Sequence, residues 1–165
     1  MSTNPINASI DELLREHGIT YAVTYGGQTK RDDWDCDSWS CVFNAPLTPT
    51  RTVTESFDYY TGLGHRAPAR SEIRGYLRPG TLAHKAREDS RKPVPPAAAS
   101  VLYCLLLDAG AAGSSFAAWC ADYGYDTDSR KMFRTYEACQ ETGDKLVRLL
   151  PMALREKLAE LLQDY

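Results

Sequence analysis

Four carboxylates fall within six residues early in the chain, at Asp32, Asp33, Asp35 and Asp37. The spacing Asp33-x-Asp35-x-Asp37 matches the first ligands of a calcium-binding loop. That loop also needs a glycine at its sixth position and an acidic residue at its twelfth, where Asn44 stands here, so a metal site is not predicted. The alternatives are a solvated acidic segment and an acidic patch that docks on a basic partner surface, because opposite charges favour association and specificity.

The chain has five cysteines, a residue type that can act as a nucleophile or as a zinc ligand. Cys104, Cys120 and Cys139 fall on apolar faces of predicted helices, where a free thiol packs like a small hydrophobic side chain. Cys36 and Cys41 lie an odd number of residues apart along a predicted strand, so they should point to opposite faces. They make a poor zinc half-site, and we expect core packing for the helical thiols.

The three histidines, His17, His65 and His84, show no pairing with a thiol or a hydroxyl group. A nucleophile needs a base and an orienting acid nearby. The chain also lacks the Gly-x-Ser-x-Gly, His-Glu-x-x-His and phosphate-loop motifs. The sequence therefore predicts no catalytic residue, no metal ligand and no cofactor.

Charge is distributed unevenly along the chain: residues 1–64 carry a net charge of −5, residues 65–92 of +5 and residues 93–165 of −3. Prolines and glycines interrupt the central segment, which predicts a mobile loop that a partner would order. Its cations could neutralise nucleic-acid phosphates, or they could lie over the protein's own acidic faces. These cations form the basic belt: Arg66, Arg70, Arg74, Arg78, Lys85, Arg87, Arg91 and Lys92.

Hydrophobic periodicity predicts an α+β protein, with an N-terminal helix, a three-stranded antiparallel sheet and a C-terminal bundle of about four helices. Ser9 and Glu12 have the spacing of a capping box that would start the first helix, and Gly18 would close it. Period-two alternation predicts strands at residues 19–25, 39–43 and 53–59. Turns are expected at Gly26-Gly27 and at residues 44–49.

The C-terminal half has three apolar helical patterns, at residues 95–110, 114–150 and 154–162. The central one is a predicted hairpin of two helices, with Phe133 and Val147 widening its apolar stripe. Ser114 or Ser115 would cap the first helix, Gly124 would end it, and residues 126–129 would supply the cap of the second. We expect subdomains 1–64 and 95–165 to share one core, joined by the basic segment 65–94. The aromatic residues expected in this core are Tyr21, Trp39, Phe43, Phe57, Phe116, Trp119, Phe133 and Tyr136.

The hairpin contains the strings GYDTDSRK, TYEACQET and KLVRLL, preceded by the aromatic strand DYYTGLGHR and a helix that opens with Pro95-Pro96. Over residues 57–150 the chain resembles a small protein family that recurs in tailed-phage and prophage genomes of proteobacteria. The family has no agreed biochemical activity. The resemblance implies an accessory phage protein that acts in the bacterial cytoplasm.

The chain shows no signal peptide pattern, and its longest apolar run, residues 101–107, is far short of the ~20 residues that cross a bilayer. An odd number of cysteines without an export signal favours reduced thiols in a cytosol. No membrane partner is expected, and the oligomeric state stays open.

Three functions remain as hypotheses. The first is a non-enzymatic, anti-CRISPR-like inhibitor that binds a nucleoprotein effector of a bacterial defence system through the acidic segment or the basic belt. The second is a nucleic-acid-binding phage accessory protein that uses the basic belt. The third is a small enzyme of unknown type.

Overall fold

A computed structural model describes residues 4–31, 34–62 and 93–163. Within these ranges the chain has one helix, a three-stranded antiparallel sheet in the order β1–β2–β3, and four further helices, which confirms the predicted α+β class. The elements are α1 (Pro5–Glu16), β1 (Thr20–Arg31), β2 (Trp34–Thr48), β3 (Arg51–Thr61), α2 (Ala98–Ala111), α3 (Phe116–Tyr123), α4 (Arg130–Leu149) and α5 (Met152–Leu162).

Helix α1 starts earlier than the sequence predicted. Its N-cap is Asn4, whose side chain accepts a hydrogen bond from the Ile6 N–H at 3.1 Å, and Pro5 occupies the first turn, where a missing N–H is tolerated. The predicted capping box at Ser9 is therefore wrong: the Ser9 hydroxyl lies inside the helix and donates to the Pro5 carbonyl. Gly18, with φ of +67°, follows the helix as expected.

The helical hairpin of α3 and α4 is built from the predicted signals. The Ser115 hydroxyl accepts from the Ala118 N–H at the start of α3, and Ser129 caps α4 by accepting from the Met132 N–H. Gly124 ends α3 in the left-handed conformation, with φ of +70°. The turn between the two helices is thus fixed by backbone geometry.

Two glycine substitutions test this account with opposite expected signs. A Cβ at Gly124 or at Gly110 would have open space around it, so packing does not decide either result. Gly124→Ala should destabilise the protein by about 1–2 kcal/mol, because the left-handed conformation disfavours alanine. Gly110→Ala, inside α2, should stabilise it by roughly 0.5–1 kcal/mol. Urea unfolding of both variants measures the change in the free energy of unfolding. Changes of the same sign in the two variants would contradict the assigned turn.

The glycine pair predicted as a turn lies inside β1, so that prediction is wrong. Gly27 has φ of +96°, which favours glycine. The Ser38 hydroxyl donates to the Gly27 carbonyl at 3.1 Å, and a Cβ at Gly26 would lie 2.6 Å from the Ser38 Oγ. The glycines therefore allow β1 and β2 to approach closely, and the chain reverses only after Arg31.

The turn predicted at residues 44–49 is shorter than expected, because β2 continues to Thr48 and the reversal occupies Pro49 and Thr50. Pro46 of β2 lies beside Gly18, which precedes the first residue of β1, Thr20. A Cβ at Gly18 would be 3.3 Å from the Pro46 Cγ. At a strand position that does not pair with β1, no N–H is needed for a hydrogen bond to that strand, so proline is tolerated there. Proline was therefore a misleading turn signal here.

The chain divides into two compact units, each containing part of the sheet. The first comprises Met1–Ala22, Cys41–Phe57 and Ala97–Tyr165, and the second comprises Val23–Ser40 and Asp58–Pro96. The strands run from one unit into the other. The predicted linker at residues 65–94 falls almost wholly outside the described residues.

The first unit has a core of helices packed with one end of the sheet. Helix α2 packs on α4, α1 and α5, and its Val101 and Leu102 are fully buried. Helix α4 is tied to β3, because the Lys145 ammonium donates to the Ser56 carbonyl at 3.2 Å and the Arg148 Nε to the Glu55 Oε1 at 2.8 Å. The pKa of Arg148 is raised by this hydrogen bond to Glu55, although desolvation opposes the rise.

Asp108 in the last turn of α2 is unfavourable for stability. Desolvation raises its pKa, and a negative charge also opposes the dipole at a helix C-terminus. The pKa of Asp108 is higher in the folded than in the unfolded protein. At pH values above the folded pKa, the ionised carboxylate therefore destabilises the native state. The effect disappears below the ordinary value of 3.8.

Asp108→Asn should therefore stabilise the protein at neutral pH by about 0.3–1 kcal/mol. The gain should shrink as the pH falls through the raised pKa, because wild-type Asp108 then loses its charge. Chemical unfolding at several pH values measures the gain in the free energy of unfolding. The control is Asp11→Asn, because Asp11 is an exposed residue of α1. A gain that is the same at every pH would contradict the electrostatic cause.

Candidate functional site

Of the predicted acidic contacts, the structure places two and leaves Asp32 and Asp33 outside its described residues. Asp35 and Asp37 lie at the start of β2, two residues apart, and so share one face of the strand. Asp35 is exposed, whereas Asp37 is half-buried and its Oδ1 accepts from the Tyr25 hydroxyl at 2.9 Å. Desolvation, this hydrogen bond and the charge of Asp37 raise the pKa of Tyr25.

Side-chain contacts order the second unit around these carboxylates. The Tyr25 ring packs on Trp39 with 5.0 Å between centroids, and the Trp39 indole N–H donates to the Thr61 hydroxyl at 2.9 Å. The Arg31 guanidinium lies 4.2 Å from the centre of the Tyr60 ring. The acidic patch, Asp35 and Asp37, therefore lies beside packed aromatic side chains, and Asp35 is its exposed carboxylate. The whole basic belt lies outside the described residues.

The histidines and cysteines do not converge in the part of the chain that the structure describes. The His17 Nδ1 is 2.9 Å from the Leu13 carbonyl oxygen at the end of α1, and His65 and His84 fall outside the described ranges. Cys120 is buried, as expected, whereas Cys104 and Cys139 are half-buried. Within residues 4–31, 34–62 and 93–163, no three His, Cys, Asp or Glu side chains are placed to hold a metal ion.

The most distinctive surface lies on the α3–α4 hairpin, where aromatic rings reach solvent. Tyr123 is 54% exposed, Tyr125 44% and Phe133 45%, and the half-buried Phe116 lies beside them. These four side chains are called the aromatic face below. The predicted burial of Phe133 is therefore wrong, and so is that of Val147, which is 57% exposed.

The buried Trp119 organises the aromatic face from beneath. Its ring centroid is 5.1 Å from that of Tyr125, 5.6 Å from that of Tyr123 and 6.1 Å from that of Phe116. The Phe133 ring meets the Phe116 ring edge-on at 5.1 Å. The Trp119–Phe116 contact is stacked, the two Trp119–tyrosine contacts are tilted, and the Phe116–Phe133 contact is edge-to-face. Offset-stacked and edge-to-face pairs are the arrangements that aromatic quadrupoles favour. The exposed rings are thus held in place before any partner arrives.

Hydrogen bonds fix the frame that carries these rings. The Tyr136 hydroxyl donates to the Ser114 carbonyl and accepts from the Gln140 side chain at 3.0 Å. After the left-handed Gly124, the Tyr125 N–H donates to the Cys120 carbonyl at 2.9 Å, which turns the Tyr125 ring back onto α3. The aromatic face is therefore a preorganised surface.

A shallow, open depression of about 480 Å³ adjoins the aromatic face. Phe116 and Phe133 form part of its wall, together with the side chains of Arg130, Arg134 and Glu137. Aromatic and arginine side chains of this kind are enriched at protein interfaces and among their energetic hot spots. The arrangement is thus suited to receive a side chain of another protein.

Sequence reasoning missed this surface because it assigned Phe116 and Phe133 to the core and left Tyr123 and Tyr125 out of its list of core aromatic residues. One signal was present: residues 116–136 contain six aromatic side chains, spread around both helices and the turn between them. A helix pair that buries one stripe each leaves some of these rings exposed. The hairpin has more aromatic side chains than its two helices can bury, and this surplus indicates a binding surface.

No described helix is by itself both long and apolar enough to cross a membrane. Helices α2 and α3 together reach the required length and composition, but the chain bends by 118° between them.

Comparison with protein-family models, with curated proteins and with solved structures finds no significant match to this chain.

Proposed function

We propose that this protein is a phage-encoded, non-enzymatic inhibitor of a bacterial defence system, similar in action to an anti-CRISPR protein, and that it binds a nucleoprotein effector. The observation that carries the proposal is the aromatic face, where three rings on a fixed hairpin are each close to half exposed. A monomeric protein gains nothing in stability from such exposure, and large exposed apolar patches mark interaction sites.

The charges around the aromatic face favour a protein contact there over a nucleic acid. Asp128 and Glu137 line the same depression as Arg130 and Arg134, so the surface has both signs. Nucleic-acid interfaces are much more positively charged, because each backbone phosphate must be neutralised. A mixed rim around aromatic anchors is the composition of a protein–protein interface.

The acidic patch supplies the second contact of the proposal. Exposed Asp35 and the neighbouring Asp37 stand on one strand face, and in the sequence Asp32 and Asp33 precede them, separated from Asp35 by Trp34. An effector that holds nucleic acid has a basic groove, and carboxylates complement such a groove electrostatically. The aromatic face would provide affinity, and the acidic patch would provide orientation and a faster association.

An interference assay tests the proposal. The protein is expressed in proteobacterial strains that each carry one active CRISPR system, and each strain is transformed with a plasmid bearing its target sequence. We expect that in at least one strain transformation rises to the level of an untargeted plasmid. Full interference in every strain, with the protein shown to be expressed and folded, would contradict the proposal.

The basic belt keeps a second candidate function open, a nucleic-acid-binding phage accessory protein. Its support is the net charge of +5 over residues 65–92. Phosphate contacts strengthen at low salt, so a gel-shift assay at about 50 mM and 200 mM salt is decisive. Tight binding at low salt that weakens steeply at the higher concentration would favour this function, and no binding at low salt would remove it.

A further inference from the structure

We infer that the ring pair Tyr123 and Tyr125, flanked by Asp122 and Asp126, receives a cationic side chain of the partner protein, preferably arginine. The inference rests on the proposed function only in assuming a protein partner. It names the chemical group that the aromatic face recognises. The argument combines the arrangement of the rings, the charges beside them and the lack of an internal cation in the described chain.

The two tyrosine rings lie nearly parallel to each other, and this ring pair is called the platform below. Their planes are only 20° apart, with 6.1 Å between centroids, and both rings lean on Trp119. Each tyrosine is about half exposed, so a group on a partner protein can reach the ring pair. The face of an aromatic ring carries negative charge density, which attracts a cation within about 6 Å of the centroid.

Two carboxylates add to this negative potential. Asp122 and Asp126 directly flank the ring pair in the chain, and both are exposed. The charge of Asp126 reaches the hairpin interior, because it helps desolvation to raise the pKa of the Cys120 thiol. An arriving cation would therefore gain from the rings and from the carboxylates together.

Within the described chain, no cation already satisfies this platform. The cation–π contacts found there involve Tyr60 and Phe57. The salt bridges in the described ranges involve neither Asp122 nor Asp126, although the Asp126 Oδ1 accepts from the Asp128 N–H at 2.9 Å. In the described ranges, therefore, none of these cation–π contacts or salt bridges involves the ring pair or its two flanking carboxylates.

Arginine fits the platform better than lysine or a nucleotide base. Its planar guanidinium stacks on an aromatic ring and can hydrogen-bond to a neighbouring carboxylate at the same time. A base would also stack on the rings, but its phosphate would be repelled by the flanking carboxylates. The flanking charges therefore select a cation over a nucleic-acid strand.

The direct test is an NMR titration of the whole protein with N-acetylarginine amide, compared with the citrulline analogue, which has nearly the same shape without the charge. We expect arginine to shift the ring signals of Tyr123, Tyr125 and Trp119, with affinity at least about threefold above that of citrulline. Equal shifts with both compounds, or arginine-specific shifts only elsewhere on the protein, would overturn the inference.

Matched variants separate the contributions. Tyr125→Phe keeps the π face and should retain arginine binding, whereas Tyr125→Leu keeps much of the apolar area and should weaken it about threefold. Asp126→Asn preserves the Oδ1 that accepts from Asp128 and removes only the charge, so it should also weaken binding. If Tyr125→Leu and Asp126→Asn both bind arginine like the wild type, the inference is wrong.

The interference assay distinguishes failure of the inference from failure of the proposed function. If Tyr125→Leu inhibits fully while Phe133→Ser does not, the aromatic face binds the effector without a cation at Tyr125, and only the inference fails. If the wild type inhibits no effector but still prefers arginine to citrulline, the proposed function fails and the inference about the binding group stands.

Discussion

Replacing Tyr125 and Phe133 together with serine is expected to abolish inhibition while leaving the protein folded. Aromatic hot-spot residues at an interface contribute about 2 kcal/mol or more each, so losing two should lower effector affinity by roughly several hundredfold or more. Both rings are about half exposed, so their loss should affect stability far less than loss of a core ring. Inhibition in cells and the thermal midpoint of the purified variant measure the two effects.

The control for this experiment is a second pair of exposed apolar side chains outside the aromatic face. Leu107 on α2 is 55% exposed and Val147 on α4 is 57% exposed. Leu107→Ser and Val147→Ser together remove a similar kind of exposed apolar surface without touching the tyrosine platform. If the control pair loses inhibition as completely as the aromatic pair, the binding surface has been placed on the wrong part of the protein.

Phe43→Ala is expected to lower the free energy of unfolding by about 3–5 kcal/mol, which is a large share of the stability of a small protein. Phe43 is fully buried in β2, and its ring contacts those of Tyr21 at 4.9 Å and Phe57 at 6.1 Å. The substitution leaves a cavity between all three strands, which cannot collapse without moving the sheet.

Leu47→Ala provides the matched comparison for Phe43→Ala. Leu47 lies on the same strand and is 57% exposed, so its truncation should change the unfolding free energy by about 0.5 kcal/mol or less. Urea denaturation of both variants and the wild type gives the difference. Similar losses for the two substitutions would contradict the placement of the core in the first unit.

Periodicity and capping residues were sufficient to predict the fold class, because both are local properties of the chain. The apolar steps along α2 and α5 follow from helical spacing, and Ser129 and Gly124 bound the hairpin as expected. The errors arise where a residue has two possible roles. Gly26 and Gly27 could turn the chain or admit a neighbouring strand, and only the pairing with Ser38 decides between them.

The aromatic face could not be predicted because exposure depends on how the helices cross. Phe133 follows Met132 on α4, and both are compatible with an apolar stripe on that helix. The packing of α3 turns Met132 towards the buried cluster around Trp119 and leaves Phe133 at its edge, against Phe116. The acidic contact stays a prediction, and the structure adds only that Asp35 and Asp37 share one face of β2.

Site-specific photo-cross-linking tests the central claim most directly, the claim that the aromatic face contacts a defence effector. Benzoylphenylalanine is introduced at Phe133, and separately at Val147 as the control, in a strain whose CRISPR interference the protein inhibits. We predict a covalent adduct with an effector subunit from position 133 and little or none from position 147. Retained inhibition with no effector adduct at position 133, or equal adducts at both positions, would contradict the account.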